Sequence, residues 1–276
     1  MLQKYTDNSL ALRLLELGNP DSITDWSEYL KLGITAEHLN ELSQMAIDID
    51  LLDSEVDTYW AGPIHAWRTL ATLEIPGVID PLVQSLQVMG EELIDWVGNE
   101  LPLIFSRIGP IAIPALTVLI ANRKASNYSR QIASDCITAI YKQHPESRSD
   151  GVLVLTQELN RFTTNDPDLN AILVCNLVID FRAIESIEVI KKAFEAGRVN
   201  EDFMGDWDEV QVELGLKDRL EVPEKLRRNM LFNPWKYLKP EPIGFSGHGS
   251  AIVPKTKAKA KRQVQSASRK KNRNKK

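Results

Sequence analysis

A chain of 276 residues with 43% hydrophobic and 26% charged residues has the composition of a globular protein and the length for one large domain or two small ones. Its formal charge of −5 conceals an asymmetry: Pro254 to Lys276 carry 11 Lys or Arg and no acid, which leaves 22 of the 33 basic residues against all 38 acidic ones, a formal −16, in the first 253. The longest apolar run, about Ala171 to Ile179, is broken by Asn176 and falls short of the ~20 residues that a bilayer span needs. Two cysteines and four scattered histidines contain no zinc spacing, so no metal is expected.

Met1-Leu2-Gln3-Lys4-Tyr5 leads into Asp7 and Asn8 rather than an apolar stretch, so a secretory signal is not expected and a cytoplasmic setting is. Leu10, Leu12, Leu14, Leu15 and Leu17 carry an opening helix that Gly18-Asn19-Pro20 ends. Trp26, Tyr29 and Leu30 predict a short helix closing at Gly33, and Thr35 caps a helix holding Leu39, Leu42, Met45 and Ile47.

From Trp60 the pattern repeats. Trp60, Ile64, Trp67, Leu70 and Ala71 share a helical face, with His65 off it; the helix stops near Ile75-Pro76-Gly77, and Val78-Ile79-Asp80-Pro81-Leu82 starts a second. Leu101, Ile104, Phe105 and Ile108 form another first helix, Gly109-Pro110 breaks it, and Ala112-Ile113-Pro114-Ala115-Leu116 starts its partner. Tyr128, Ile132, Cys136 and Ile140, then Val152, Leu155 and Leu159, make a third unit, stretched by a loop around His144-Pro145-Glu146-Ser147. Ile172, Cys175, Leu177 and Ile179 precede a last second helix at Ala183-Ile184-Glu185-Ser186-Ile187. Cys136 and Cys175 read as small buried hydrophobes of a reducing compartment. Pro81 and Pro114 fall in first turns, where a missing N–H is harmless. A period of about 35 to 40 residues with two helices per unit is the pattern of stacked helical repeats.

The segments Val78 to Leu82 and Ala112 to Leu116, each following a Gly-Pro or Pro-Gly break, resemble the second helices of HEAT repeats, in particular the phycobilisome-lyase-type HEAT-like repeats. The resemblance spans about residues 60–197 and lacks the family's usual Asp-Val-Arg opening of the first helix. It implies an all-α fold, a right-handed α-solenoid of stacked antiparallel helix pairs, and a binding role. It also implies an alternative, a lyase-type or accessory factor that assists chromophore attachment or another protein modification.

The expected organisation is a solenoid over residues 1–220, a Pro/Gly-rich linker over 221–253 and a disordered basic tail over 254–276. In the tail, Lys255, Lys257, Lys259, Lys261, Arg262, Arg269, Lys270, Lys271 and Arg273 are the candidates for RNA or another polyanion, because Lys and Arg neutralise phosphates without sequence choice. The tail has no aromatic residue for base stacking, and its Lys-Ala alternation is not the pattern of a membrane-surface helix. A localisation signal (nuclear, for a eukaryotic source), an acidic protein surface including this chain's own, and a plain solubilising extension are its other readings.

Two acidic sets surround tryptophans: Glu91, Glu92, Asp95 and Glu100 around Trp96, and Glu201, Asp202, Asp206, Asp208, Glu209 and Glu213 around Trp207. They read as a solvated acidic face, or as a docking surface for a protein partner in which Trp96, Asp206, Trp207 and Asp208 take part. No Gly-rich phosphate loop, Walker sequence or nucleophile elbow occurs, so neither a cofactor nor a catalytic residue is assigned. The expected function is a non-catalytic scaffold or adaptor that grips a protein through the solenoid and contacts RNA or another polyanion through the tail.

Overall fold

Twelve α-helices and a series of short 3-10 turns make up the described residues, 9–90 and 92–218, of the computed structural model, and no strand occurs among them. The linker at 221–253, the tail at 254–276 with all nine of its candidate residues, and Glu91 lie outside the described residues.

The described residues open with a 3-10 helix, Leu10–Glu16, where sequence pattern predicts a helix; it buries Ala11, Leu14 and Leu15. Short helix α1 (Ser27–Leu30) follows, then α2 (Leu39–Ala46), which buries Leu42, Met45 and Ala46. α3 (Gly62–Thr72) begins after a 3-10 turn at Tyr59–Ala61 that carries Trp60. Every residue of α3 from Gly62 to Leu70 is buried, His65 included. The predicted single apolar face is therefore incomplete: α2 covers one side of α3, while α1 and the Leu10–Glu16 helix cover another.

The remaining helices are α4 (Ile79–Val88), α5 (Ile94–Ile108), α6 (Ile113–Ala121), α7 (Asn127–Gln143), α8 (Arg148–Leu159), α9 (Pro167–Cys175), α10 (Ile187–Glu195), α11 (Glu201–Met204) and α12 (Trp207–Glu213). A three-residue 3-10 turn runs directly into each of α2, α4, α6, α8 and α10, at Ala36–His38, Pro76–Val78, Pro110–Ala112, Pro145–Ser147 and Ile184–Ser186. Proline opens three of the five, where a fixed φ suits the turn and no donor is lost. The segment at His144 to Ser147 is thus not an inserted loop but the same lead-in that precedes the other second helices. Gly109, at φ +85°, turns the chain out of α5 into its lead-in, and the ring of His144 fills the space where a side chain would sit.

Packing alternates along the chain. α2 contacts α4, α4 contacts α6, α6 contacts α8 and α8 contacts α10; α3 contacts α5, α5 contacts α7, and α7 contacts α9. Sequence neighbours α2 and α3, α4 and α5, α6 and α7, and α8 and α9 also touch. A continuous set of buried apolar side chains results, from Ala11 through Trp67, Phe105, Ile137 and Phe181 to Leu214. No single helix among the described residues is long and apolar enough to cross a membrane; α5 with the Pro110–Ala121 segment passes that test only as a pair bent by 111°.

Arginine side chains tie the connections to the helices. Arg68 donates to the carbonyls of Pro20 and Ile23, Arg130 to Ile120, Arg148 to Phe181, and Arg198 to Phe162 and Asn165. Arg13 donates to Leu32 and Arg182 to Glu213. These carbonyls lie at or near helix ends and in the connections, where backbone groups often lack an intrahelical partner.

Candidate functional site

Both tryptophans singled out in the sequence are half-buried against the core. Trp96, on α5, meets Trp60 with ring centroids 5.9 Å apart at 50°. Trp207, the first residue of α12, meets Phe194 at 6.1 Å and 52°. Asp206 caps α12: its carboxylate accepts from the backbone N–H of Asp208 (3.0 Å) and Glu209 (3.1 Å), while Glu209 reaches back to the Asp206 N–H at 3.2 Å. This is a capping box. Glu209 is 3% exposed, so the acidic face expected here is only partly solvated. Asp208 accepts from Lys217 Nζ at 2.8 Å. In the other set, Glu100 turns inward and pairs with Arg68. Structure thus places Trp207, Asp206 and Asp208 at one helix start and Trp96 in a separate aromatic pair, and it puts four of the carboxylates, Glu100, Asp206, Asp208 and Glu209, to structural use.

A buried polar network joins α3 to α1 and to the connection before it. His65 accepts at Nδ1 from the Tyr29 hydroxyl (2.8 Å) and donates at Nε2 to the Gly18 carbonyl (3.1 Å), a pairing that suits the neutral ring. Burial pushes its pKa down to about 4. His65, expected off the buried face of α3, is fully buried and ties α1 and the first connection to α3.

α9 passes without a break into a π-helical turn, Asn176–Asp180. Asn176 Nδ2 donates to Ser134 Oγ at 3.1 Å and to Asp135 Oδ1 at 2.9 Å. Burial, and secondarily the neighbouring Asp180, pushes Asp135 up to about 7. Cys136 and Cys175 are free and buried, and burial followed by Asp135 raises both thiols. They remain protonated and unreactive. No group of three or more His, Cys, Asp or Glu among the described residues is placed to hold a metal ion.

A polar cleft of about 370 Å³ opens where α7 and α9 begin. Three arginines line it, from three separate segments: Arg123 after α6, Arg130 on α7 and Arg198 after α10, with Asn127, Thr164 and Asp166 between them. Arg130 is 4% exposed, and its Nη2 is held by Glu158 (2.8 Å) and Asn165 (3.0 Å). Arg123 is exposed and donates to Thr164 Oγ1 at 2.6 Å. Glu158 also pairs with Arg161 at 3.0 Å. Burial depresses the Arg130 pKa, Glu158 opposes that, and Arg123 and Arg161 add to the depression. Among the lining residues three arginines stand against one carboxylate, Asp166, so positive charge is in excess.

Comparison with protein-family models, with curated proteins and with solved structures finds no match.

Reading the sequence alone passes over the cleft, because its arginines lie up to 75 positions apart between Arg123 and Arg198. One signal was nevertheless present. Residues 101–134 contain four Lys or Arg and no Asp or Glu, in a body otherwise rich in acids. The Asp206-x-x-Glu209 spacing likewise marks a capping box before it marks a docking surface.

Proposed function

We propose that this chain is a binding scaffold: a HEAT-like, right-handed α-solenoid of stacked antiparallel helix pairs that holds a protein partner, with residues 254–276 contacting RNA or another polyanion. The observation that carries the reading is the alternating contact order, α2 to α4 to α6 to α8 to α10 and α3 to α5 to α7 to α9, with a 3-10 lead-in at the start of every even helix from α2 to α10. Repeats that contact mainly their neighbours leave long solvent-facing sides for a partner. Successive even helices expose Val88, Val118 and Leu153, and Val118 is 71% exposed. Apolar side chains in such a series are suited to protein contact. Charge supports the role of the tail, with 11 basic residues and no acid from Pro254 onward.

The test is a pull-down from native lysate with the full chain and with a version ending at Val253, each with and without RNase. A protein set held by both versions after RNase supports the scaffold. Loss of everything captured on removing the tail, or on RNase treatment, sinks it.

A further inference from the structure

We propose that the cleft lined by Arg123, Arg130 and Arg198 is a binding site for a phosphate monoester dianion. This goes beyond the scaffold reading and does not depend on it.

Donor arithmetic comes first. A guanidinium carries five N–H donors and cannot accept. Arg130 commits Nε to the Ile120 carbonyl and Nη2 to Glu158 and Asn165; Arg198 commits Nε to the Phe162 carbonyl and Nη2 to the Asn165 carbonyl. Arg123 commits only Nη2, to Thr164. Neither Nη1 of Arg130 nor Nη1 of Arg198 is engaged by these bonds, and nor are Nε and Nη1 of Arg123. Each side chain is thus anchored through part of its fork, with further N–H donors that these bonds leave unengaged, and all three residues line the cleft. That is preorganisation of donors for an anion with several acceptor oxygens, and arginine forks match phosphate oxygens in pairs.

The field has the right sign. The one acidic side chain on the wall, Asp166, is spent as the cap of α9, where it accepts from the Asp168 N–H at 2.9 Å. The first turns of α7 and α9, marked by Asn127 and Pro167, meet at this cleft; Asp166 occupies the start of α9, and the start of α7 presents the positive end of a helix dipole.

Two observations favour a single compact phosphoryl group over a nucleic-acid backbone. The surroundings in sequence are strongly acidic: residues 9–100 hold 17 Asp or Glu against 3 Lys or Arg, and residues 201–218 hold 7 against 1. An extended polyanion would be repelled along most of the body, whereas one dianion seated on three arginines would not. No aromatic side chain lines the cleft, so there is no platform for a base. The ligand is a phosphate monoester, either free in solution or carried as phosphoserine on a protein.

Titration calorimetry on the full chain tests this, with inorganic phosphate, a phosphoserine peptide of neutral flanks and its unphosphorylated form as probes. Both phosphate probes are expected to bind and the unphosphorylated peptide is not. Arg123→Ala, whose side chain is exposed, is expected to weaken binding by roughly ten-fold or more, the worth of a charge-assisted hydrogen bond. Thr164→Asp, also at an exposed position, is expected to abolish it. Lys191→Ala makes the same charge change on α10 and is expected to do nothing. The basic tail is intact in every variant, so wild-type affinity in both Arg123→Ala and Thr164→Asp would assign binding to the tail and overturn the site. Failure of both phosphate probes, or equal binding of the unphosphorylated peptide, would overturn it too. Tighter binding of the phosphopeptide than of inorganic phosphate identifies a protein-borne group as the source, and equal affinity identifies a small phosphorylated molecule.

Discussion

Arg68 on α3 grips Glu100 on α5 with two parallel hydrogen bonds, Nε to Oε2 at 2.9 Å and Nη2 to Oε1 at 2.6 Å. The side chains are 6% and 12% exposed. Burial works against the charge on Arg68, but Glu100 outweighs it and holds the guanidinium protonated. The Trp26 ring carries this guanidinium at 5.5 Å from its centre and that of Arg107 at 4.1 Å. Removing one partner of a buried pair strands the other charge. Glu100→Ala is expected to cost about 3 kcal/mol in urea unfolding. Joint replacement by Arg68→Met and Glu100→Leu is expected to cost less than Glu100→Ala alone, and a double replacement that costs the sum of the singles would show that the two residues do not act as a pair.

His65 makes stability fall with acid. Its folded pKa of about 4 lies below the ordinary value of 6.5, so the unfolded chain takes up the proton first. Stability from this residue is intact above pH 6.5 and drains away between 6.5 and 4. The expected loss is about 2 kcal/mol by pH 5 and about 3 kcal/mol at pH 4. His65→Gln does not titrate and is expected to flatten that part of the profile, read as unfolding free energy against pH.

Gly151 sits inside α8, where helix propensity alone favours alanine by about 1 kcal/mol. Packing reverses the sign. A Cβ there would lie 2.6 Å from the Phe181 ring, which is itself stacked on Tyr141 at 4.6 Å. Gly151→Ala is expected to lower the melting temperature, with a cost of about 1–3 kcal/mol from overpacking. An increase in melting temperature would mean that the ring yields.

Asp206 is expected to matter as a cap. Asp206→Ala removes the acceptor for two N–H groups and is expected to cost about 1 kcal/mol, whereas Asp206→Asn keeps the acceptor and is expected to cost much less. Thermal melts of the two variants separate a cap from a charge: equal losses would point to the carboxylate charge instead.

The helical units were legible because their signals are local. Gly109-Pro110 and Ile75-Pro76-Gly77 punctuate the chain where α5 and α3 end, and the apolar residues at 79, 82, 113 and 116 are buried as their spacing predicts. What covers a helix from a second side is not local. Periodicity in α3 could not foretell that Tyr29 of α1 and the Pro20 carbonyl would bond His65 and Arg68, since those contacts join residues 36 to 48 positions apart. The arginine cleft fails to show for the same reason: Arg130 reaches Glu158 and Asn165, and Arg198 reaches Asn165, only after four helices have packed. Asp206 was legible but ambiguous, because a carboxylate before a helix reads equally as a cap and as surface charge.

Among the described residues, arginine and lysine divide their labour. Six arginines, Arg13, Arg68, Arg130, Arg148, Arg182 and Arg198, hold backbone carbonyls at the connections, while Lys31, Lys142, Lys191 and Lys217 pair only with carboxylates near the surface. Eight of the 11 basic residues after Val253 are lysines. Lysine-directed acylation would therefore erase most of the charge of the tail and leave the arginine-held carbonyls untouched, so that one chemistry, whether a reagent or an acetyltransferase, would silence the polyanion contact proposed for the tail without loosening those connections.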